Sequence, residues 1–260
     1  MEFNNMNVTI VDYTPDALEL LIYTKSTRLK ANQNIAAIKK WTNESKLEEL
    51  AYMKDTIKSS WEFVNYTFDI TGVSRAFTHQ FVRTRTGRYA QESQRTVDAR
   101  DNDVVEPFIA DKEMMELWQD SVTHSRETYG MLIDAGIPAQ DARGLLPTAT
   151  STSIIAQFSL RTLHEMATTR LCVRTQGESQ DVFRLMKQRV VELHPWAEPF
   201  IRVGCAQNGI CVFPRYTSCP IQTLTFNALP RYKSTIEEIS RMANKIRHEA
   251  SPIANKGRTM

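Results

Sequence analysis

Arg83, Arg85, Arg88 and Arg95 fall within thirteen consecutive positions, Arg83-Thr84-Arg85-Thr86-Gly87-Arg88-Tyr89-Ala90-Gln91-Glu92-Ser93-Gln94-Arg95, beside one serine and two carboxamides. Guanidinium groups this close repel one another unless an anion lies between them, and their planar forks match phosphate oxygens two at a time. The chemistry to expect first is the binding of a phosphate-bearing ligand. The plainer uses of the same residues are a solvated charged face or an oligomer interface. No Gly-x-Ser-x-Gly elbow is present, so a serine hydrolase gains no support. No Gly-x-Gly-x-x-Gly or Walker-type loop is present either, so neither standard glycine loop would hold a nucleotide. His164 and His194 stand alone in the sequence and read as structural. Cys172, Cys205, Cys211 and Cys219 match no zinc spacing and are expected to be free thiols, with no metal bound.

The composition narrows the ligand further. The chain has 260 residues, with 32 basic against 30 acidic and a formal charge of +2. A duplex-binding protein usually presents a broad basic face, so a small anion fits better than a nucleic acid. There is no run of about 18 apolar residues, so no membrane span is expected. The start, Met-Glu-Phe-Asn-Asn, lacks the basic and apolar segments of a signal peptide. A cytoplasmic location follows as an expectation, the host cytoplasm if the source is viral.

The elements that must position these arginines are legible in part. Asn7 to Val11 reads as a strand, and Thr14 with Pro15 as the start of a helix through Leu18, Leu21 and Ile22. Ser45 to Glu48 has a capping-box pattern before Leu50 and Met53. Asn65 to Ile70 alternates as a half-buried strand ended by Gly72. Val73 to Val82 then reads as a helix with Val73, Phe77 and Phe81 on one face, and Gln80 and Arg83 on a neighbouring one. Asp111 to Ala135 is predicted as a long helix with Met114, Leu117, Trp118, Val122 and Leu132 inward, closed by Gly136 and Pro138. Thr152 to Arg170 is predicted as another, with Ile155, Phe158, Leu163 and Met166 on its stripe. Ser179 to Leu193 is a third, and a capping box at Ser234 to Glu237 opens a last helix through Ile239, Met242 and Ile246. Residues 204–232 are hard to read. With no repeat and no linker, residues 1–260 are expected to form one α/β (α+β) domain, a small sheet flanked by long helices.

Arg83-Thr84-Arg85, seven residues, then Ser93 resembles the Arg-His-Arg-x7-Ser signature of the flavin-dependent thymidylate synthases. Tyr66 to Gln80 is similar to the family's strand and helix before that signature, and Gln91 to Arg95 to its continuation. Ala142-Arg143-Gly-Leu-Leu-Pro147 resembles its Arg-x-x-Leu-Pro turn. Ser159-Leu-Arg161-Thr-Leu, with Arg170 and Gln176-Gly-Glu178 beyond, resembles its Asn-x-Arg-Ser-Leu helix and downstream arginine. The resemblance implies that Gln80, Arg83, Gln91, Ser93, Arg95 and Arg143 hold a pyrimidine deoxynucleotide monophosphate, Arg143 from another subunit. It implies that Arg83, Thr84, Arg85, Ser159, Arg161 and Glu165 contact FAD, and that Arg170 meets the pyrimidine ring as the catalytic group. It further implies a homotetramer, with NADPH and methylenetetrahydrofolate as co-substrates.

Several positions depart from the family pattern. Thr84 stands in place of the signature His, Phe63 in place of a His in a Glu-His pair, Gln91 where Glu is frequent, Ser159 for Asn and Thr96 for Tyr. The phosphate-binding arginines are kept while groups around flavin and folate differ. Three functions follow as expectations: methylation of dUMP to dTMP; C5 methylation or hydroxymethylation of another pyrimidine nucleotide such as dCMP; or a non-catalytic nucleotide-binding protein.

Overall fold

The computed structural model describes residues 5–28, 34–56, 58–208, 211, 213 and 219. β1 (Asn7–Tyr13) leads into α1 (Ala17–Arg28), a short α2 (Ile35–Lys39) and α3 (Asn43–Thr56). A 3-10 turn at Ser59–Phe63 opens β2 (Asn65–Ser74), which passes directly into α4 (Arg75–Phe81). β3 (Arg88–Gln91), α5 (Lys112–Asp134), α6 (Ala139–Ala142) and a 3-10 turn at Arg143–Leu145 follow. β4 (Ser151–Ser159) then runs straight into α7 (Leu160–Arg170), before α8 (Gly177–Leu193), a 3-10 turn at Pro195–Phe200 and α9 (Gly204–Asn208). The strands make one antiparallel sheet in the order β1-β2-β4-β3. The mixed α/β class with a small sheet and long helices is as expected.

Period-two alternation builds the centre of the core. Tyr66, Phe68 and Ile70 on β2 and Ile154, Ala156 and Phe158 on β4 are all buried, and α4, α7 and α8 cover them. Phe77 and Phe81 stack with ring centroids 4.8 Å apart, and Phe81 meets Phe158 edge-on at 5.4 Å. This aromatic contact fixes α4, and hence the start of the arginine-rich stretch, against the middle of the sheet.

The structure corrects several readings. Thr152 to Arg170 is not one helix. Thr152, Ile154, Ala156 and Phe158 alternate inward as β4, where β-branched side chains fit a pleat better than a helix. Helix α7 starts only after Ser159, whose hydroxyl accepts from the Thr162 N–H at 3.2 Å, and Ile155 faces outward. Gly72 does not end β2. Its φ of +69° makes a bulge between Ile70 and Val73, and a Cβ there would stand 2.4 Å from the Asn5 carbonyl oxygen. Val73 is therefore a strand residue rather than part of a helical face. Thr14 does not cap α1; it accepts from the Asn65 N–H at 2.9 Å and ties the end of β1 to β2. The cap of α3 is Thr42, which accepts from Ser45 N–H at 3.2 Å, so Ser45 lies within the helix.

Helix α5 forms where predicted, with Asp111 accepting from Met114 N–H at 3.2 Å. Its apolar stripe is only partly inward, however, with Trp118, Val122 and Leu132 half-buried. Met114 and Leu117 are 49% and 59% exposed, and Tyr129 alone among the residues of α5 is fully buried. The helix packs beside α6 and the 143–145 turn rather than on the sheet. The four cysteines are free, as expected. The expected C-terminal helix lies outside the described residues, as does most of 204–232.

Candidate functional site

The arginine-rich stretch is fastened from beneath by one side chain. Tyr89, on edge strand β3, donates its hydroxyl to the carbonyl oxygens of Phe81 at 3.1 Å and Thr84 at 2.8 Å. Burial pushes this phenol up to about 12, against the lowering effects of its Thr84 bond and the Arg170 charge. It therefore stays protonated, and stays a donor, at neutral pH. Gly87 lies against the same group: a Cβ there would come within 2.5 Å of both Phe158 Cε1 and Tyr89 Oη. The Thr84 N–H bonds to Phe81 O at 3.2 Å and the Gly87 N–H to Thr84 O at 3.0 Å. The main chain of this turn is thus satisfied inward, while the side chains of Arg83 and Arg85 are exposed.

Gln80 and Gln91 are each held from one side. Gln80 donates to Gln176 Oε1 at 3.0 Å, joining α4 to the residue before α8. Gln91 donates to Thr78 Oγ1 at 2.7 Å, joining β3 to the same helix. Beyond β3, Ser93 accepts from Arg95 N–H at 3.2 Å, and the Arg95 side chain is exposed. Between them Gln94 Nε2 is buried with no partner among the described residues. That donor, and the side chains of Arg83, Arg85, Arg95 and Arg170, make no hydrogen bond or ion pair with any described residue. Four of these five donor groups lie along one stretch, and together with Arg170 they suit an acceptor-rich anion.

Helix α7 divides the remaining candidates. Arg170 ends it, half-buried, close enough to Tyr89 to act on its phenol. Arg161 lies nine residues earlier, about 14 Å along the axis at 1.5 Å per residue. There Arg161 bonds Glu165 at 3.0 Å and lies 3.5 Å from Glu62. Its pKa is raised, by the Glu165 bond before the Coulombic effects of both carboxylates. Ser159 is occupied by the fold: besides capping α7, it donates to Glu62 Oε2 at 2.9 Å. Arg143 forms a third group. It donates to Gln140 O at 3.2 Å, and its charge lowers the pKa of Arg75, after burial and against Glu92. Arg75 in turn donates to Glu92 O at 2.9 Å.

One chain thus gathers Gln80, Arg83, Thr84, Arg85, Gln91 and Arg170 around α4 and β3, with Ser93 and Arg95 following directly. It keeps Ser159, Arg161 and Glu165 apart at the start of α7. Tyr89, Arg75 and Glu178 lie within the quoted motif segments, but motif reading gives them no role. The alternation of Arg88-Tyr89-Ala90-Gln91 is the signal that marks β3 and turns Tyr89 inward. Among the described residues no group of three or more His, Cys, Asp or Glu could hold a metal, and no helix is long and apolar enough to cross a membrane.

Residues 9–196 match the family described as "Thymidylate synthase complementing protein". A protein of Pyrococcus abyssi named flavin-dependent thymidylate synthase is 31% identical over 223 residues, covering 79% of this chain and 89% of its own. One of the same name from Pyrococcus horikoshii is 32% identical over 218 residues, with the same two shares of 79% and 89%. A third, from Geobacter sulfurreducens, is 33% identical over 162 residues, covering 59% of this chain and 70% of its own.

Proposed function

Since the chain belongs to the thymidylate synthase complementing protein family, we propose that it is a flavin-dependent methyltransferase that converts dUMP to dTMP. The observation that carries this reading is the set of unpaired donors on the segment that Tyr89 fastens: Arg83, Arg85, Gln94 and Arg95, with the charge of Arg170 near enough to act on that tyrosine. A nucleotide monophosphate and the diphosphate of FAD are both ligands of this kind.

Arg95, Arg83 and Ser93 grip the phosphate, and bidentate guanidinium contacts fix where the pyrimidine ring lies. Gln80 and Gln91 each spend an amide N–H on the protein, which leaves their carbonyl oxygens to accept from the sugar or the base. Methylation at C5 requires negative charge to build on the ring and spread toward O4, N3 and O2. Arg170, always charged, holds that density without a proton transfer. Arg83, Thr84 and Arg85 face the cofactor. FAD held by these residues would supply the hydride, with NADPH as its reductant and methylenetetrahydrofolate as the carbon donor, so no catalytic cysteine or serine is needed.

Two features support assembly into a homotetramer. Met114, Leu117 and Met131 of α5 are exposed, and apolar side chains left open along one helix suit an interface. The Ser159–Arg161–Glu165 group lies about 14 Å along α7 from Arg170, so a neighbouring subunit would bring it to that site.

The test is direct. Purified protein, reconstituted with FAD if necessary, is expected to show a flavin spectrum. With NADPH and methylenetetrahydrofolate it should raise the mass of dUMP by one methylene. Turnover of dCMP alone would move the substrate to cytosine. A colourless protein that FAD cannot reconstitute would overturn the enzyme reading in favour of nucleotide binding alone.

A further inference from the structure

Ser74 stands where β2 becomes α4. Its hydroxyl oxygen accepts from Phe77 N–H at 3.0 Å, the ordinary N-cap bond. In a capping box the residue three places on is Glu or Gln, and it reaches back to the cap's own N–H. Here that residue is Phe77, which cannot. Glu178, 104 residues later in the first turn of α8, takes its place. Glu178 Oε1 accepts from Ser74 N–H at 2.6 Å, and Oε2 accepts from the Ser74 hydroxyl at 2.6 Å. The box is completed by a second helix, and both carboxylate oxygens are engaged. The position in the first turn of α8 also favours the negative charge.

This joint lies at the root of the nucleotide segment. Helix α4 carries Gln80 in its last turn and leads into the turn of Arg83 and Arg85. Near its far end, Gln80 bonds Gln176 at 3.0 Å. The helix is therefore tied at both ends to residues 176–178, which follow Arg170 within eight positions. We propose that Glu178 is a positioning residue for the nucleotide. It sets α4 against the junction of α7 and α8, so that Arg83 and Arg170, carried by those two elements, face one ligand at a fixed separation. The proposal rests on the pyrimidine-nucleotide reading above. Its physical basis is that anion grips work only within a fraction of an ångström of their set geometry, so a loosened joint costs affinity without removing any ligand contact.

Glu178→Gln keeps the shape and one acceptor oxygen but faces two donors. It is expected to raise the dissociation constant for dUMP about tenfold, by the loss of one charge-assisted bond, while FAD content and circular dichroism stay unchanged. Ser74→Ala should act through the same joint, so the double variant should lose little more than the weaker-binding single variant. If Glu178→Gln does not fold, Glu178→Asp, which keeps the charge but shortens the reach, is measured in the same way. A lowered melting temperature with unchanged dUMP affinity, or additive losses in the double variant, would overturn the positioning role and leave a structural joint. Wild-type protein that binds neither dUMP nor dCMP would overturn the nucleotide reading and this proposal with it. Normal wild-type binding beside an indifferent Glu178→Gln would overturn this proposal alone.

Discussion

Gly87→Ala tests whether the arginine turn is held as rigidly as its contacts imply. The added methyl would meet Phe158 Cε1 and Tyr89 Oη at 2.5 Å and Tyr89 Cζ at 2.7 Å. Ordinary carbon contacts begin near 3.5 Å, so about 1 Å of clearance must be found. Phe158 cannot supply it: the ring is 1% exposed, with Phe81, Tyr89 and Phe68 packed around it at 5.4, 5.7 and 6.4 Å. Tyr89 can retreat only by giving up its bonds to Phe81 O and Thr84 O. The turn itself must lift. Overpacking of this kind costs about 1–3 kcal/mol, and a lost tyrosine hydrogen bond adds about 1 kcal/mol. Denaturant titration should show the midpoint falling at an unchanged slope, and dUMP affinity should fall at least tenfold, because Arg83 and Arg85 ride on the turn. Adding Tyr89→Phe, which removes one of the three clashing atoms, should recover part of the stability. A Gly87→Ala protein within about 0.5 kcal/mol of wild type, with unchanged dUMP affinity, would refute the claim that Tyr89 and Phe158 pin the turn.

Arg170→Ala should nearly abolish turnover while leaving FAD bound; normal activity would remove Arg170 from the ring site. Arg95→Ala should weaken dUMP binding on the order of thirtyfold in calorimetry, the value of a charge-assisted phosphate contact; unchanged affinity would place Arg95 outside the phosphate grip. Burial lowers the pKa of both His164 and His194, although the Phe200 carbonyl and Glu19 respectively oppose it. The unfolded chain therefore takes up protons near pH 6.5 that the folded chain refuses, so the stability from these groups is whole above about 6.5 and is lost as pH falls below it. Melting temperatures followed from pH 8 to 5 should show that decline, and a flat profile across this window would contradict it. Leu117→Asp on the open stripe of α5 should yield a smaller species by light scattering, whereas an unaltered assembly would locate the contact elsewhere.

Much of the candidate site can be read from the sequence because motif spacing survives without any knowledge of the fold. Arg83, Arg95 and Arg170 stand where an anion could use them, and none needs a neighbour to announce it. The secondary structure was harder wherever a strand runs directly into a helix. Ser151 to Arg170 contains no Gly or Pro to mark the change, and Ile155 and Phe158 fall in step with the helical stripe of Leu163 and Met166 by accident of spacing. Only pairing with β2, a long-range event, decides the first half as strand. Gly72 misled in the opposite sense, since a glycine with positive φ serves a bulge as well as a terminus. The outward face of α5 was illegible because amphipathic spacing says that a helix has an apolar side, not what covers it. The partnership of Glu178 with Ser74 lies beyond any local signal, because the two residues are 104 positions apart.

The place of β3 in the sheet gives its arginines a second task. β3 is the terminal strand of the order β1-β2-β4-β3, and among the described residues no strand pairs beyond it. An open edge is a template on which another chain can add, and short length and positive charge are the ordinary protections against that. β3 has four residues, begins with the exposed Arg88, and is flanked by Arg85 and Arg95. The charges that could meet an anion also protect the open edge of the sheet. Neutralising them would therefore be expected to lower solubility as well as affinity, and nephelometry of an Arg85/Arg88/Arg95 triple alanine variant would separate the two effects.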